Sequence, residues 1–168
     1  MYKRQIKKYG FGDFLFDGWR YKDEGNIQKD TSQRELNEDF ILNIDPYKKS
    51  KILVVGKNFG CGSSREHAVW ALRDFGIECI IAESFGDIFY NNCFKTVILP
   101  IQISQDKKNH VSEHIKENKN LRVDLTNQSI QLESSEIQFE IEESLKERII
   151  LGQDLSLIHI SEPTRPLS

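Results

Sequence analysis

"KILVVGKNFGCGSSREHAVWALRDFGIECIIA", residues 51–82, alternates apolar runs with a helical pattern across a glycine-rich junction. The run Ile52–Val55 is short, apolar and β-rich, and reads as a strand. A helix follows over about residues 64–75, with Ala68, Ala71, Leu72 and Phe75 on one face and Gly76 where a left-handed C-terminal cap belongs. "IECIIA" is a second strand. Read onward, "FGDIFYNNCFK" is helical and "TVILPIQI" is again a strand. Alternation of this kind predicts an α/β fold of mostly parallel central strands covered by helices.

Beyond Pro100 the pattern changes. "VSEHIKENKN" is a polar helix candidate, "LRVDLTNQSIQL" reads as two strands about Asn127 and Gln128, "EIQFEI" as a third, and "EESLKERIILG" as a closing helix. Upstream, "YGFGDFLFDGWRYKDEG" concentrates Phe11, Phe14, Leu15, Phe16, Trp19 and Tyr21, a packing segment, and "NIQKDTSQRELNEDF" is polar and turn-like. The final "SLIHISEPTRPLS", residues 156–168, has no periodicity and resembles a translated adapter string. The expectation is one domain over residues 1–155, followed by a non-native or disordered tail over 156–168.

A chain of 168 residues, 38% apolar and 29% charged, suits one globular domain. A net charge of −3, with no basic stripe, argues against nucleic acid as a partner. No apolar run approaches the roughly 18 residues of a membrane span, and "MYKRQIKKYG" lacks the apolar core of a secretory signal. A cytoplasmic protein without membrane contact is expected. Cys61, Cys79 and Cys93 have no C-x-x-C spacing, so they read as free thiols rather than as a disulfide framework or metal site. His110 and His114 share i,i+4 spacing but lack a third ligand nearby, and read as solvated surface.

The chemistry gathers where the first strand turns into the helix. Gly60 and Gly62 let the backbone approach a ligand closely. Ser63 and Glu66 fit an S-x-x-E capping box, and the same helix start, with its unpaired amides, suits a carboxylate or phosphate. Arg65 adds a guanidinium fork for a carboxylate. His67 fits a proton-transfer or orienting role as well as a plain polar contact. The segment has no G-x-x-x-x-G-K-[ST], no G-x-S-x-G and no G-x-G-x-x-G, so a phosphate-binding enzyme is disfavoured.

"NFGCGSSREHAVWALRDFGIECIIAESFGDIFYNNCFKTVILP" together with "GFGDFLFDGWRY" resembles the 3-isopropylmalate dehydratase small-subunit family, of the aconitase superfamily, over residues 9–155. The resemblance implies a swivelling β/β/α domain that pairs with a separate large subunit carrying a [4Fe–4S] cluster. No metal is implied on this chain. The implied reaction is the interconversion of 2- and 3-isopropylmalate through isopropylmaleate in leucine biosynthesis, a hydro-lyase activity that needs both subunits. Cluster iron would act as the Lewis acid on the leaving hydroxyl. Carried over by motif, Ser63 is the catalytic base; Ser64, Arg65 and Gly62 bind a small dicarboxylate substrate; Glu66 and His67 support them. The aromatic segment from Phe11 to Tyr21 falls where the family places substrate recognition and subunit contacts. An initial D-T-D-x-I-I-P-like strand usual in the family is missing from this sequence, which implies truncation at the N-terminus. Homoaconitase and dimethylmalate dehydratase small subunits are the neighbouring alternatives, and a non-catalytic carboxylate-binding module is the alternative from another class.

Overall fold

A computed structural model describes residues 50–61, 67–117, 119–151, 159–162 and 166–167. The aromatic segment from Phe11 to Tyr21, the polar stretch 26–40 and the loop residues Gly62–Glu66 lie outside the described residues.

Three strands, β1 (Ile52–Val55), β2 (Cys79–Ala82) and β3 (Leu99–Gln102), run parallel in the order β3-β2-β1. The crossovers are α1 (His67–Phe75) and α2 (Asp87–Lys95). All residues of β1 and β2 are buried, as parallel strands covered on both faces must be. Their period of two divides the core. Leu53, Val55, Ile80 and Ala82 pack with Val69, Leu72, Phe89 and Cys93 from the helices. Both helices lie on that side because two right-handed crossovers advancing in the same direction place their helices on one face.

Ile52, Val54, Cys79 and Ile81 point to the other face. It is covered by α3 (Gln105–Lys116), by an antiparallel meander of β4 (Leu121–Asp124), β5 (Ser129–Gln131) and β6 (Glu136–Gln138), and by α4 (Glu143–Leu151). Val111 and Ile115 of α3 and the alternating Leu121, Val123, Ile130 and Ile137 of the meander complete this cluster. With α1 and α2 on one face of the parallel sheet and the meander, flanked by α3 and α4, on the other, the layers follow the β/β/α order that the resemblance implies. Two further strands lie within the segment read as a tail: β7 (His159–Glu162) runs antiparallel beside β4, and β8 (Pro166–Leu167) parallel beside β1. Among the described residues, no helix is long and apolar enough to cross a membrane.

The hairpin between β4 and β5 turns where the sequence predicted, through local bonding. The buried Asp124 carboxylate accepts from the Asn127 backbone N–H at 3.0 Å and from its side-chain amide at 2.9 Å, and Gln128 takes a positive φ of 52°. α3 begins earlier than expected, at Gln105, because the Ser104 hydroxyl caps it by accepting from Lys107 N–H at 3.4 Å. Its first turn is polar and carries no apolar period to announce it. The buried face of α1 is also shifted, to Val69, Ala71 and Leu72, with Ala68 and Phe75 only partly covered.

α1 ends as predicted at Gly76, φ 109°, with Gly76 N–H donating to Arg73 O at 3.0 Å and Ile77 N–H to Leu72 O at 3.0 Å. α2 ends in the same way without a glycine. Ile98 N–H donates to Cys93 O at 2.9 Å, and the left-handed position is taken by Val97 at φ 63°, a conformation that a β-branched residue rarely adopts. In β3, Leu99 and Ile103 N–H groups donate to Glu78 O and Ala82 O of the β2 side at 2.9 and 3.0 Å. The nitrogen of Pro100, one residue out of phase, faces away from β2, so its missing donor costs the ladder nothing.

The cysteines divide by burial. Cys61 is exposed, whereas Cys79 and Cys93 are enclosed in the two clusters. Burial pushes the Cys93 thiol up to about 12. Cys79 is also raised, first by burial and then by the nearby Glu78 and Cys93.

A thiol reagent at pH 8 should modify Cys61 in the native protein and reach Cys79 and Cys93 only on unfolding; native-state labelling of either would contradict the packing. Because both buried thiols are raised, their contribution to stability is complete below the unfolded thiol value of about 8.5 and declines as pH rises above it, which urea titrations across pH 7–10 would register. At Val97, relief of about 1–3 kcal/mol of left-handed strain exceeds about 0.5–1 kcal/mol of glycine backbone entropy. Val97→Gly should therefore raise the urea midpoint, and a fall would show that the Val97 side chain matters more than its backbone.

Candidate functional site

Ligands of open α/β sheets bind outside the carboxyl ends of the strands. Here two neighbouring strands, β1 and β2, send out arms that pair with each other. Glu83 N–H donates to Gly56 O at 3.3 Å, Phe59 N–H to Ser84 O at 3.1 Å, and Gly86 N–H to Phe59 O at 3.0 Å. Phe59 and Phe85 thereby form an isolated parallel bridge beyond the sheet. Between the Val54–Ile81 pair and the Phe59–Phe85 pair the first arm holds one residue more than the second. The surplus is accommodated around Asn58, which adopts φ 55°, a conformation asparagine tolerates better than most residues. Asn58 N–H, out of register with the backbone ladder, donates to the Ser84 hydroxyl at 2.7 Å, and that hydroxyl lies 3.4 Å from Asn58 Oδ1, to which it donates. Cys61 N–H closes a turn onto Asn58 O at 3.1 Å.

Two glycines make this pairing possible. Gly60 takes φ 79°, and a Cβ there would fall 2.2 Å from Phe89 Cγ. A Cβ on Gly86 would fall 2.9 Å from Cys61 Cα. The first arm therefore rests its bare backbone on the Phe89 ring and on Gly86. Phe59 meets Phe89 edge-on at 5.4 Å and Phe85 stacks on it at 6.3 Å, so the bed under the loop is aromatic.

Cys61 and His67 bracket the five residues on which the sequence places most of the chemistry. Gly62, Ser63, Ser64, Arg65 and Glu66 lie outside the described residues, and His67 opens α1. The arm that leads into them is the one pinned by Ser84, Gly86 and Phe89, residues that motif reading did not single out as functional. The signal for them is the repeat of "NFG" at 58–60 and "SFG" at 84–86, one after each of two adjacent parallel strands.

The same sheet edge carries a cleft of about 390 Å³ lined by Glu83, Gln102, Ser104, Lys107, Gln138 and Glu140, among others. Among the described residues that line it, Lys107 supplies the one ammonium, which donates to Gln138 O at 3.3 Å and shares the cleft with the carboxylates of Glu83 and Glu140, a poor setting for a dianion. His110 and His114 engage separate partners, with His110 Nε2 3.0 Å from the Ser135 hydroxyl and His114 Nε2 2.8 Å from Asn120 O. Among the described residues no group of three His, Cys, Asp or Glu side chains could hold a metal ion. Thiolate is the ligand form of cysteine, and the raised Cys79 and Cys93 thiols resist it. The described residues therefore do not suit an iron–sulfur cluster.

Residues 1–106 match the model of the aconitase C-terminal domain family. The 3-isopropylmalate dehydratase small subunit of Vesicomyosocius okutanii is 49% identical over 162 residues, covering 95% of this chain and 78% of the relative. The protein of the same name from Neisseria meningitidis serogroup A is 44% identical over 165 residues, covering 95% and 78%. A crystal structure of 3-isopropylmalate dehydratase from Methanocaldococcus jannaschii aligns at 34% identity with a TM-score of 0.49, covering 63% of this chain and 61% of that one. The chain belongs to the aconitase C-terminal domain family, in its branch of 3-isopropylmalate dehydratase small subunits.

Proposed function

We propose that this chain is the base-bearing half of a two-subunit hydro-lyase of leucine biosynthesis, with residues 1–155 as its swivel domain. It interconverts 2- and 3-isopropylmalate through isopropylmaleate in the cytoplasm. The observation that carries the reading is the pinned arm 56–61, which leaves the carboxyl end of β1 and leads directly into the "GSSREH" segment at the start of α1.

In this reading the Ser63 alkoxide takes the proton from one substrate carbon as hydroxide departs from the neighbouring carbon, leaving isopropylmaleate; in the return step Ser63 gives a proton to the carbon that lost hydroxide as hydroxide adds to the carbon that lost the proton. A free serine hydroxyl is far too weak a base for this. Its anion needs donors fixed in advance, and the loop amides, the positive end of α1 and Arg65 are groups of the right kind. Ser64 and Arg65 hold the substrate carboxylates, Gly62 admits close backbone approach, and Glu66 and His67 support the turn. The [4Fe–4S] cluster, which the described residues do not suit, is assigned to the large subunit, where it supplies the Lewis acid for hydroxyl departure.

The test is hydration of isopropylmaleate, followed by loss of its ultraviolet absorbance, with the chain assembled on a cluster-loaded large subunit. Ser63→Ala should lower kcat by about 10³-fold or more while leaving assembly intact; wild-type turnover by this variant would remove the assignment. Arg65→Lys keeps the charge but loses the two-pronged grip on a carboxylate, and should lower kcat/KM by about 10–100-fold with part of the loss in KM. An unchanged KM would place the carboxylate elsewhere.

A further inference from the structure

The cleft that suits a dianion poorly suits a ligand of mixed charge. We propose that it binds a small zwitterion carrying more ammonium than carboxylate, of which a basic α-amino acid is the simplest case. Three charged side chains line it: Lys107 from the first turn of α3, Glu83 from the end of β2 and Glu140 from the segment after β6. Among the described residues, no ion pair joins Lys107 to either carboxylate, and neither carboxylate has another cationic side chain within 4.0 Å. Lys107 uses one of its three N–H groups on Gln138 O. Opposite charges that share one cavity and yet stand apart leave room for a ligand that meets both signs at once.

The walls of the cleft are fixed by the fold. Glu83 N–H donates to Gly56 O at 3.3 Å, Ile103 N–H to Ala82 O at 3.0 Å and Phe139 N–H to Gln128 O at 3.0 Å, so each lining segment is tied to a neighbouring one. Ile103 and Phe139 are buried and supply the apolar part of the lining. A cavity of about 390 Å³ with apolar lining and a few convergent polar groups, beyond the carboxyl ends of parallel strands, has the make-up of a small-molecule site. Two carboxylates against one ammonium leave an excess of negative charge. A second cationic group on the ligand is therefore favoured, and a second carboxylate is not.

Calorimetric titration of the full chain tests this, with L-lysine, L-alanine, L-glutamate, lysine methyl ester and Nα-acetyl-lysine as probes. L-Lysine should bind saturably, L-alanine more weakly and L-glutamate least. The ester and the acetyl derivative each lack one charge at the α-carbon and should bind about tenfold or more weakly than lysine. Glu83→Gln, Glu140→Gln and Lys107→Met should each lower lysine affinity by about tenfold or more at an unchanged thermal midpoint. Lys107→Met should also bind lysine and its methyl ester alike. Glu113→Gln, at an exposed carboxylate of α3 outside the cleft, should alter nothing. Absence of saturable heat with lysine up to about 10 mM would overturn the proposal. So would equal binding of lysine and glutamate, lysine affinity retained in all three cleft variants, or a loss in Glu113→Gln as large as theirs. If a cleft variant unfolds, the ester and acetyl probes on the wild-type chain decide the same point: equal affinity of both with lysine rejects the site.

Discussion

The contact between the backbone of Gly60 and the ring of Phe89 is the constraint around which the carboxyl edge of the sheet is arranged. With no space for even a methyl group between them, the loop after β1 has one seat, and α2 is the element that provides it. Phe89 is itself buried in the helix-side core, so the seat inherits the rigidity of a packed interior rather than that of a surface loop. The loop in turn presses Cys61 onto Gly86, the residue that precedes α2. Loop and helix start are thus fitted to each other, and neither conformation is available without the other.

That fit depends on the sheet being covered on both sides. β1 and β2 expose nothing, and their alternate residues serve two different clusters. On the helix side, Val69 and Leu72 of α1 and Phe89 and Cys93 of α2 share one apolar layer, which sets the spacing of the two helices over the strands. On the far side the antiparallel meander packs through a single set of alternating residues, so a register slip of one position would turn Val123 and Ile130 outward. The meander therefore has one productive register. The functional edge is built on the face that demands close packing, and the cleft beside the meander carries mixed charge.

Much of this was legible in the sequence because it was written in periodicity. The strand and helix alternation from Ile52 to Gln102, the hairpin about Asn127 and the cap at Gly76 follow from apolar spacing and turn chemistry, and all three stand in the structure. The features that were not legible lack such a signature. Nothing in the sequence marks Val97 as left-handed, because glycine is the ordinary choice at that position of a helix end. The first turn of α3 is polar, and only its capping serine marks it. Ser84 and Gly86 act across strands rather than along the chain, and their partnership with Asn58 and Cys61 emerges once β1 and β2 are in register. For the site itself, motif reading reached the glycine-serine segment and passed over Ser84 and Gly86, which meet Asn58 and Cys61 from the neighbouring strand.

Pro100 also has a bearing on how the molecule meets others. β3 is the outermost strand of the parallel sheet among the described residues, and an outer strand with a full row of donors is an invitation to any extended peptide. With its ring nitrogen turned to that side, β3 offers an interrupted row. Strand addition there is discouraged at the level of a single atom, which favours association through side-chain surfaces and closed loops over the indiscriminate growth of the sheet into its neighbours.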